Sequence, residues 1–185
     1  MLEEIIEDAR IGMEKSLNAL EVAFKRIRTG RASPSLLDDI KIDHYGTLTP
    51  LPQLANISIE DAKTIAINPW EKTIVQEIEK AIMESDLGLN PATSGDKIRL
   101  NLPDLTEETR KELVKKAHSE TEKAKISIRN VRRESNSQLK EFLKDKEISK
   151  DEERRGEEEI QKLTDHFVNK IDQSLIIKEQ DLLDF

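Results

Sequence analysis

The sequence predicts an α+β protein: an elongated three-helix bundle with a small β/α/β domain inserted into it, the two joined by two hinge strands. Three observations predict it. Apolar residues recur at helical spacing at both ends of the chain. Between those ends, residues 30–105 hold all six prolines and four of the six glycines, set among short runs that alternate with period two. Across all 185 residues, 37% are charged and only 3% aromatic. That is the composition of long helices with solvated faces, not of a β-sandwich or large barrel.

The first helix carries Ile6, Met13, Leu17, Leu20, Phe24 and Ile27 on one stripe, with Arg10 interrupting it. Gly12 lies inside it at a cost of about 1 kcal/mol relative to Ala. The helix is expected to end near Thr29-Gly30, where Gly can take the left-handed cap conformation ahead of Pro34. Four strand-like runs follow: 40–45, 54–59, 64–67 and 97–100. Between the third and fourth, Ile74, Ile78, Ala81 and Ile82 mark a helix over 72–85. Thr106 is an N-cap signal, with Glu107 and Glu108 suiting the positive end of a helix dipole. Leu113, Ala117, Ala124, Ile128, Val131, Leu139 and Phe142 then give a stripe running to about Lys146. Ser149-Lys150-Asp151-Glu152 is a capping box that opens a last helix, with Ile160, Leu163, Phe167, Ile171 and Leu175 on one side.

No amphipathic helix buries its stripe alone, and three can bury theirs against one another. The expected division is therefore 1–29 with 106–185 as a discontinuous bundle, and 30–105 as the insert. Thr29, Gly30, Asp104, Leu105 and Thr106 fall on the two connecting strands and are the expected hinge.

Composition also narrows function. With no cysteine, disulfide scaffolds, zinc ribbons, iron–sulfur sites and cysteine nucleophiles are out. His44, His118 and His166 show no ligand spacing, and no phosphate-binding glycine loop or nucleophile elbow is present. The expectation is a protein that is not an enzyme and uses no metal or cofactor. The acidic start, Met1 to Asp8, lacks the basic and apolar regions of a signal peptide. No apolar run nears the ~20 residues of a membrane span, so a cytoplasmic protein is expected, with no membrane partner. Trp70, the only tryptophan, is read as core of the inserted domain or a turn anchor.

The net charge of −8 speaks against nucleic acid until it is resolved along the chain. Residues 106–155 alone are net positive, with 15 basic and 12 acidic groups. From Lys123 to Arg133 there are five basic residues and no acid: Lys123, Lys125, Arg129, Arg132 and Arg133. On a helical wheel Lys125, Arg129 and Arg132 fall within about 60° of one another. A run of charge is commonly just a solvated helix face with i,i+4 pairs. Here the window has no acids of its own, and arginine, whose planar fork suits phosphate, predominates. Few aromatics are interleaved, which favours phosphate and shape recognition of folded RNA over base stacking. Arg26, Arg28 and Arg31 form a second cluster, open to the plainer reading of cations capping a helix C-terminus.

Four strings resemble the bacterial ribosome recycling factor family: Arg28 to Leu37 (RTGRASPSLL), Ser85 to Pro91 (SDLGLNP), Ile128 to Arg133 (IRNVRR) and Gln161 to Asp165 (QKLTD). Their order and the chain length fit that family throughout. The resemblance implies a three-helix bundle and a β/α/β domain in an L-like arrangement. It implies a monomer that binds the post-termination ribosome, mainly through large-subunit ribosomal RNA, and splits it with elongation factor G and GTP. It implies RNA contacts at Arg129, Arg132 and Arg133, further along that helix at Arg110 and Lys116, and at the junction at Arg28 and Arg31. Lys125 joins this set from the charge reading. The sequence departs from the family pattern at Thr109, where arginine is common, at His44, which replaces a tyrosine, and over 180–185. The competing reading is a coiled-coil-like helical protein that binds other proteins without RNA.

Overall fold

Helix α1 (Leu2–Arg26) buries Ile5, Ala9, Met13, Leu17, Leu20 and Phe24. The buried stripe begins at Ile5, with Ile6 only half-buried, so Ala9 rather than Arg10 continues it. The structure, a computed structural model, describes residues 1–183; the sequence departure noted over 180–185 therefore lies partly outside the described residues. The helix stops earlier than the glycine signal suggests. Ile27 turns extended, and its N–H donates to the Phe24 carbonyl at 3.1 Å. Gly30 does take a positive φ of 84°, but in the connecting strand rather than as the helix cap.

The other α-helices among the described residues are α2 (Val75–Glu84), α3 (Glu107–Lys144) and α4 (Lys150–Leu183). At 1.5 Å per residue, α3 is about 57 Å long. It starts at Thr106, whose hydroxyl accepts the Thr109 N–H at 3.1 Å. It ends with Lys146 at φ 59°, where the Lys146 N–H meets the Leu143 carbonyl (3.1 Å) and the Glu147 N–H meets that of Phe142 (2.9 Å). This is a Schellman turn built without glycine. The capping box then opens α4: the Ser149 N–H donates to Glu152 Oε2 at 2.7 Å, and the Glu152 N–H donates to Ser149 Oγ at 3.2 Å.

The bundle core joins the α1 stripe to Ala117, Ala124, Ile128 and Leu139 of α3 and to Ile160, Phe167, Ile171 and Leu182 of α4. Small residues let the helices approach. A Cβ on Gly156 would lie 2.8 Å from Leu2 Cδ1 and 2.9 Å from Leu139 Cδ1, and one on Gly12 would lie 3.2 Å from the Val131 methyls. A polar contact crosses the core edge, Ser16 Oγ to Ser127 Oγ at 2.7 Å.

The insert has six strands. A hairpin of β1 (Lys41–His44) and β2 (Thr47–Pro50) stands apart from a four-stranded antiparallel sheet of β3 (Ala55–Asp61), β4 (Thr64–Pro69), β5 (Pro91–Ser94) and β6 (Lys97–Asn101), in the order β3-β4-β6-β5. Ile65 and Ile67 of β4 and Ile98 and Leu100 of β6 pack with Ile78 and Ile82 of α2. Two strands, β2 and β5, escape the period-two signal because both are short, polar and proline-bearing. Their tight turns specify them instead: Tyr45 and Gly46 both have positive φ (52° and 82°), the pattern of a two-residue hairpin turn. Trp70 is not in the core. Its side chain is 68% exposed, while its backbone N–H donates to the Leu54 carbonyl at 3.1 Å.

The chain divides into two compact units, one made of Met1–Ile27 with the described residues from Arg110 on, the other of Arg28–Thr109. These boundaries lie two and four residues from those expected at 29/30 and 105/106. A local contact accounts for the shift at the first boundary, and others tie the second connecting strand to the insert. The Arg28 guanidinium donates to the Leu87 carbonyl at 3.0 Å, Asp104 pairs with Lys63, and Gly30 lies beside Leu105. The segment 28–30 and its counterpart 104–106 thus belong to the inserted unit.

Candidate nucleic-acid interface

The cationic run of α3 sits in its middle third, and the structure sorts its five basic residues. Lys123 pairs with Glu120 at 3.0 Å. Lys125 pairs with Asp172 of α4 at 2.7 Å and approaches Glu122 at 4.0 Å. The expectation that these cations lack partners therefore fails for both lysines: the acids come from one turn earlier and from the neighbouring helix. Arg129 and Arg133 are exposed and form no ion pair or side-chain hydrogen bond among the described residues.

Arg132 is half-buried and held. Its Nη1 donates to Gln161 Oε1 at 3.1 Å, and Gln161 Nε2 donates to Asp165 Oδ1 at 2.9 Å. The i,i+4 spacing of Gln161 and Asp165 on α4 fixes the amide so that its oxygen faces the arginine. A neutral amide acceptor positions a guanidinium without cancelling its charge. Arg129, Arg132 and Arg133 span about 100° of the helix and form one edge. Such an edge can grip phosphate oxygens through several charge-assisted hydrogen bonds.

The remaining expected RNA residues fall elsewhere. Arg110 lies near the start of α3, where its Nη1 reaches the Leu183 carbonyl at 3.5 Å and its Nε is buried without a hydrogen-bond partner among the described residues. That places a cation at the C-terminal end of the α4 dipole. Lys116 is exposed, two turns further along α3. Arg28 and Arg31 belong to the inserted unit, Arg28 half-buried on Leu87 and Arg31 exposed. Thr109 serves the cap of α3, its hydroxyl 2.8 Å from that of Thr106. His44 stacks edge-on against Tyr45 and lies 3.6 Å from Glu71.

Sequence reasoning missed the α4 residues that shape this edge. Asp172 is an ordinary helix-face acid in the sequence, and nothing local marks its partner 47 positions away. Gln161 carried a signal only as part of a family string. Lys178, whose ammonium donates to the Ile27 carbonyl at 3.1 Å, was likewise invisible. Burial holds its pKa below the usual lysine value, with nearby Asp181 opposing the shift. Among the described residues no group of three or more His, Cys, Asp or Glu could hold a metal. No helix among them is long and apolar enough to cross a membrane.

A model of the ribosome recycling factor family matches residues 20–183. The chain belongs to the ribosome recycling factor family. Ribosome recycling factors with closely similar sequences include one from Marinomonas sp. (strain MWYL1), 54% identical and covering all of both chains. Another, from Alcanivorax borkumensis, is 57% identical over 99% of each chain. Among solved structures, the solution structure of a ribosome recycling factor superposes with a TM-score of 0.80 at 40% identity, covering 100% of this chain and 98% of the other. A second structure holds the T. thermophilus ribosome recycling factor with E. coli elongation factor G bound to the E. coli post-termination complex. Its factor matches with a TM-score of 0.68 at 44% identity over 99% of each chain. Ribosome recycling factors are translation factors, not enzymes, and the α+β architecture is that of the family's solved structures.

Proposed function

We propose that this chain recycles ribosomes. It binds the post-termination ribosome and, with elongation factor G and GTP, splits it into subunits, releasing messenger and transfer RNA for a new round of translation. It acts in the cytosol, as a monomer. The observation that carries this reading is full-length kinship: relatives of this name match over 99% or more of both chains at 54% and 57% identity. Hydrolysis of GTP belongs to the partner, and this chain supplies binding and mechanical coupling.

In this reading the edge of Arg129, Arg132 and Arg133 is the main anchor on large-subunit ribosomal RNA. Arg110, Lys116, Arg28 and Arg31 give supplementary phosphate contacts. The two domains work as separate modules, the bundle as the RNA-bound part and the insert as the part that answers to elongation factor G. Residues Thr29, Gly30, Asp104, Leu105 and Thr106 form the hinge strands. A helix of α3's length, packed on two others, is stiff enough to transmit a push that a flexible chain would dissipate.

The test is equilibrium binding to purified large ribosomal subunits over a series of salt concentrations. Affinity should fall linearly in log–log terms with salt, as phosphate contacts require. Arg132→Ala should weaken binding by about 1–3 kcal/mol, the scale of a hydrogen bond to a charged group. An unchanged Kd for the variant together with a flat salt series would overturn the RNA anchor and favour a surface that binds protein only.

A further inference from the structure

The basic run of α3 holds two cations that the edge does not use, Lys123 and Lys125, and the second lies on the edge's own side of the helix. Lys125 lies one turn before Arg129 on the same stripe. Its ammonium is turned away toward α4, 2.7 Å from Asp172 Oδ1, and its side chain is only 19% exposed although it is a lysine on a surface helix. Glu122, the other acid near it, stands at 4.0 Å and is 62% exposed, at the limit of ion-pair range. Asp172 is therefore the group that holds it. It comes from a different helix, so the contact is a product of bundle packing rather than of the local i,i+4 pattern.

We propose that Asp172 withholds Lys125 from RNA, trimming the phosphate-binding edge to three arginines and setting the factor's grip below what the basic run would allow. The inference rests on the RNA-binding reading above. Its logic is kinetic. A recycling factor must leave the ribosome after each round, and each added phosphate contact strengthens binding and steepens its salt dependence by about 0.9 in slope. An acid on the neighbouring helix is a simple way to keep a cation in the sequence for helix packing while removing it from the interface. Arg132 is treated in the opposite manner: its partner on α4 is the neutral amide of Gln161, which orients it and leaves its charge intact.

The full-length chain and purified large ribosomal subunits test this in one titration, with wild type, Asp172→Asn, Lys125→Met, the double variant and Arg132→Ala compared across salt. Asp172→Asn should bind about two- to fivefold tighter, the worth of one exposed charge contact, and with a steeper salt slope. Lys125→Met alone, which leaves Asp172 without its cation, should bind no tighter than wild type. The double variant should return to the wild-type Kd, because the gain depends on the freed lysine and not on the lost negative charge. Three results overturn the proposal: Asp172→Asn fails to tighten binding, the double variant binds tighter than wild type, or Lys125→Met alone tightens binding. Arg132→Ala separates the two levels. If it weakens binding while Asp172→Asn does nothing, only this inference falls; if it too has no effect, the RNA edge falls with it.

Discussion

Ser149 and Glu152 show how far one residue pair can be followed from sequence to stability. The Ser149 N–H, and then its hydroxyl, hold the Glu152 carboxyl below the usual carboxylate value, with Arg155 adding a smaller favourable charge. The folded-state pKa thus lies below the unfolded one. The carboxylate's contribution is fully present above about pH 4.5 and is lost as pH falls through the folded value. Wild type should exceed Glu152→Gln in urea-denaturation stability at pH 7, and the gap should narrow as pH falls below about 4.5. A gap that stays constant from pH 7 to pH 3 would mean that the ionised carboxylate contributes nothing at this cap. The pair was legible because capping chemistry is local, four residues long and fixed in spacing. Lys125 was not, because its partner Asp172 is brought to it only by the packing of α4 on α3.

At the scale of the element, the apolar stripes of α1, α3 and α4 were legible because a 3.6-residue period repeated over several turns leaves little ambiguity. Their ends were less so: the glycine near the end of α1 serves the connecting strand, and α3 ends on a lysine in the left-handed region. Strands β2 and β5 were unreadable as strands, since polar edge segments take their conformation from the partner and the turn. Gly156 was silent in the sequence for a similar reason. Alanine is the better helix former by about 1 kcal/mol. Yet a Cβ there would press on Leu2 and on both methyls of the fully buried Leu139, and overpacking costs about 1–3 kcal/mol. Packing should win, with Gly156→Ala lowering stability by about 1 kcal/mol in a urea titration. A stabilised variant would show that Leu2 and Leu139 move aside freely and that the close approach of α4 is not required.

For the whole molecule, composition pointed the right way and the summed charge did not. A net charge of −8 conceals a cationic edge on one helix, and folding narrows that edge further by spending two of its five cations on neighbouring acids. What remains is three arginines, one of them oriented by a neutral amide, on a bundle whose core runs through three long helices. The division into two units, with the chain crossing between them twice, matches what a factor needs if it holds RNA with one part and answers a GTP-driven partner with the other. The most direct measurement of that account is light scattering from purified post-termination ribosomes mixed with this chain, elongation factor G and GTP, with Arg132→Ala run beside it. The account predicts a fall in scattering that needs all three components and is slowed or lost in the variant. Undiminished scattering with elongation factor G from the same source would contradict it.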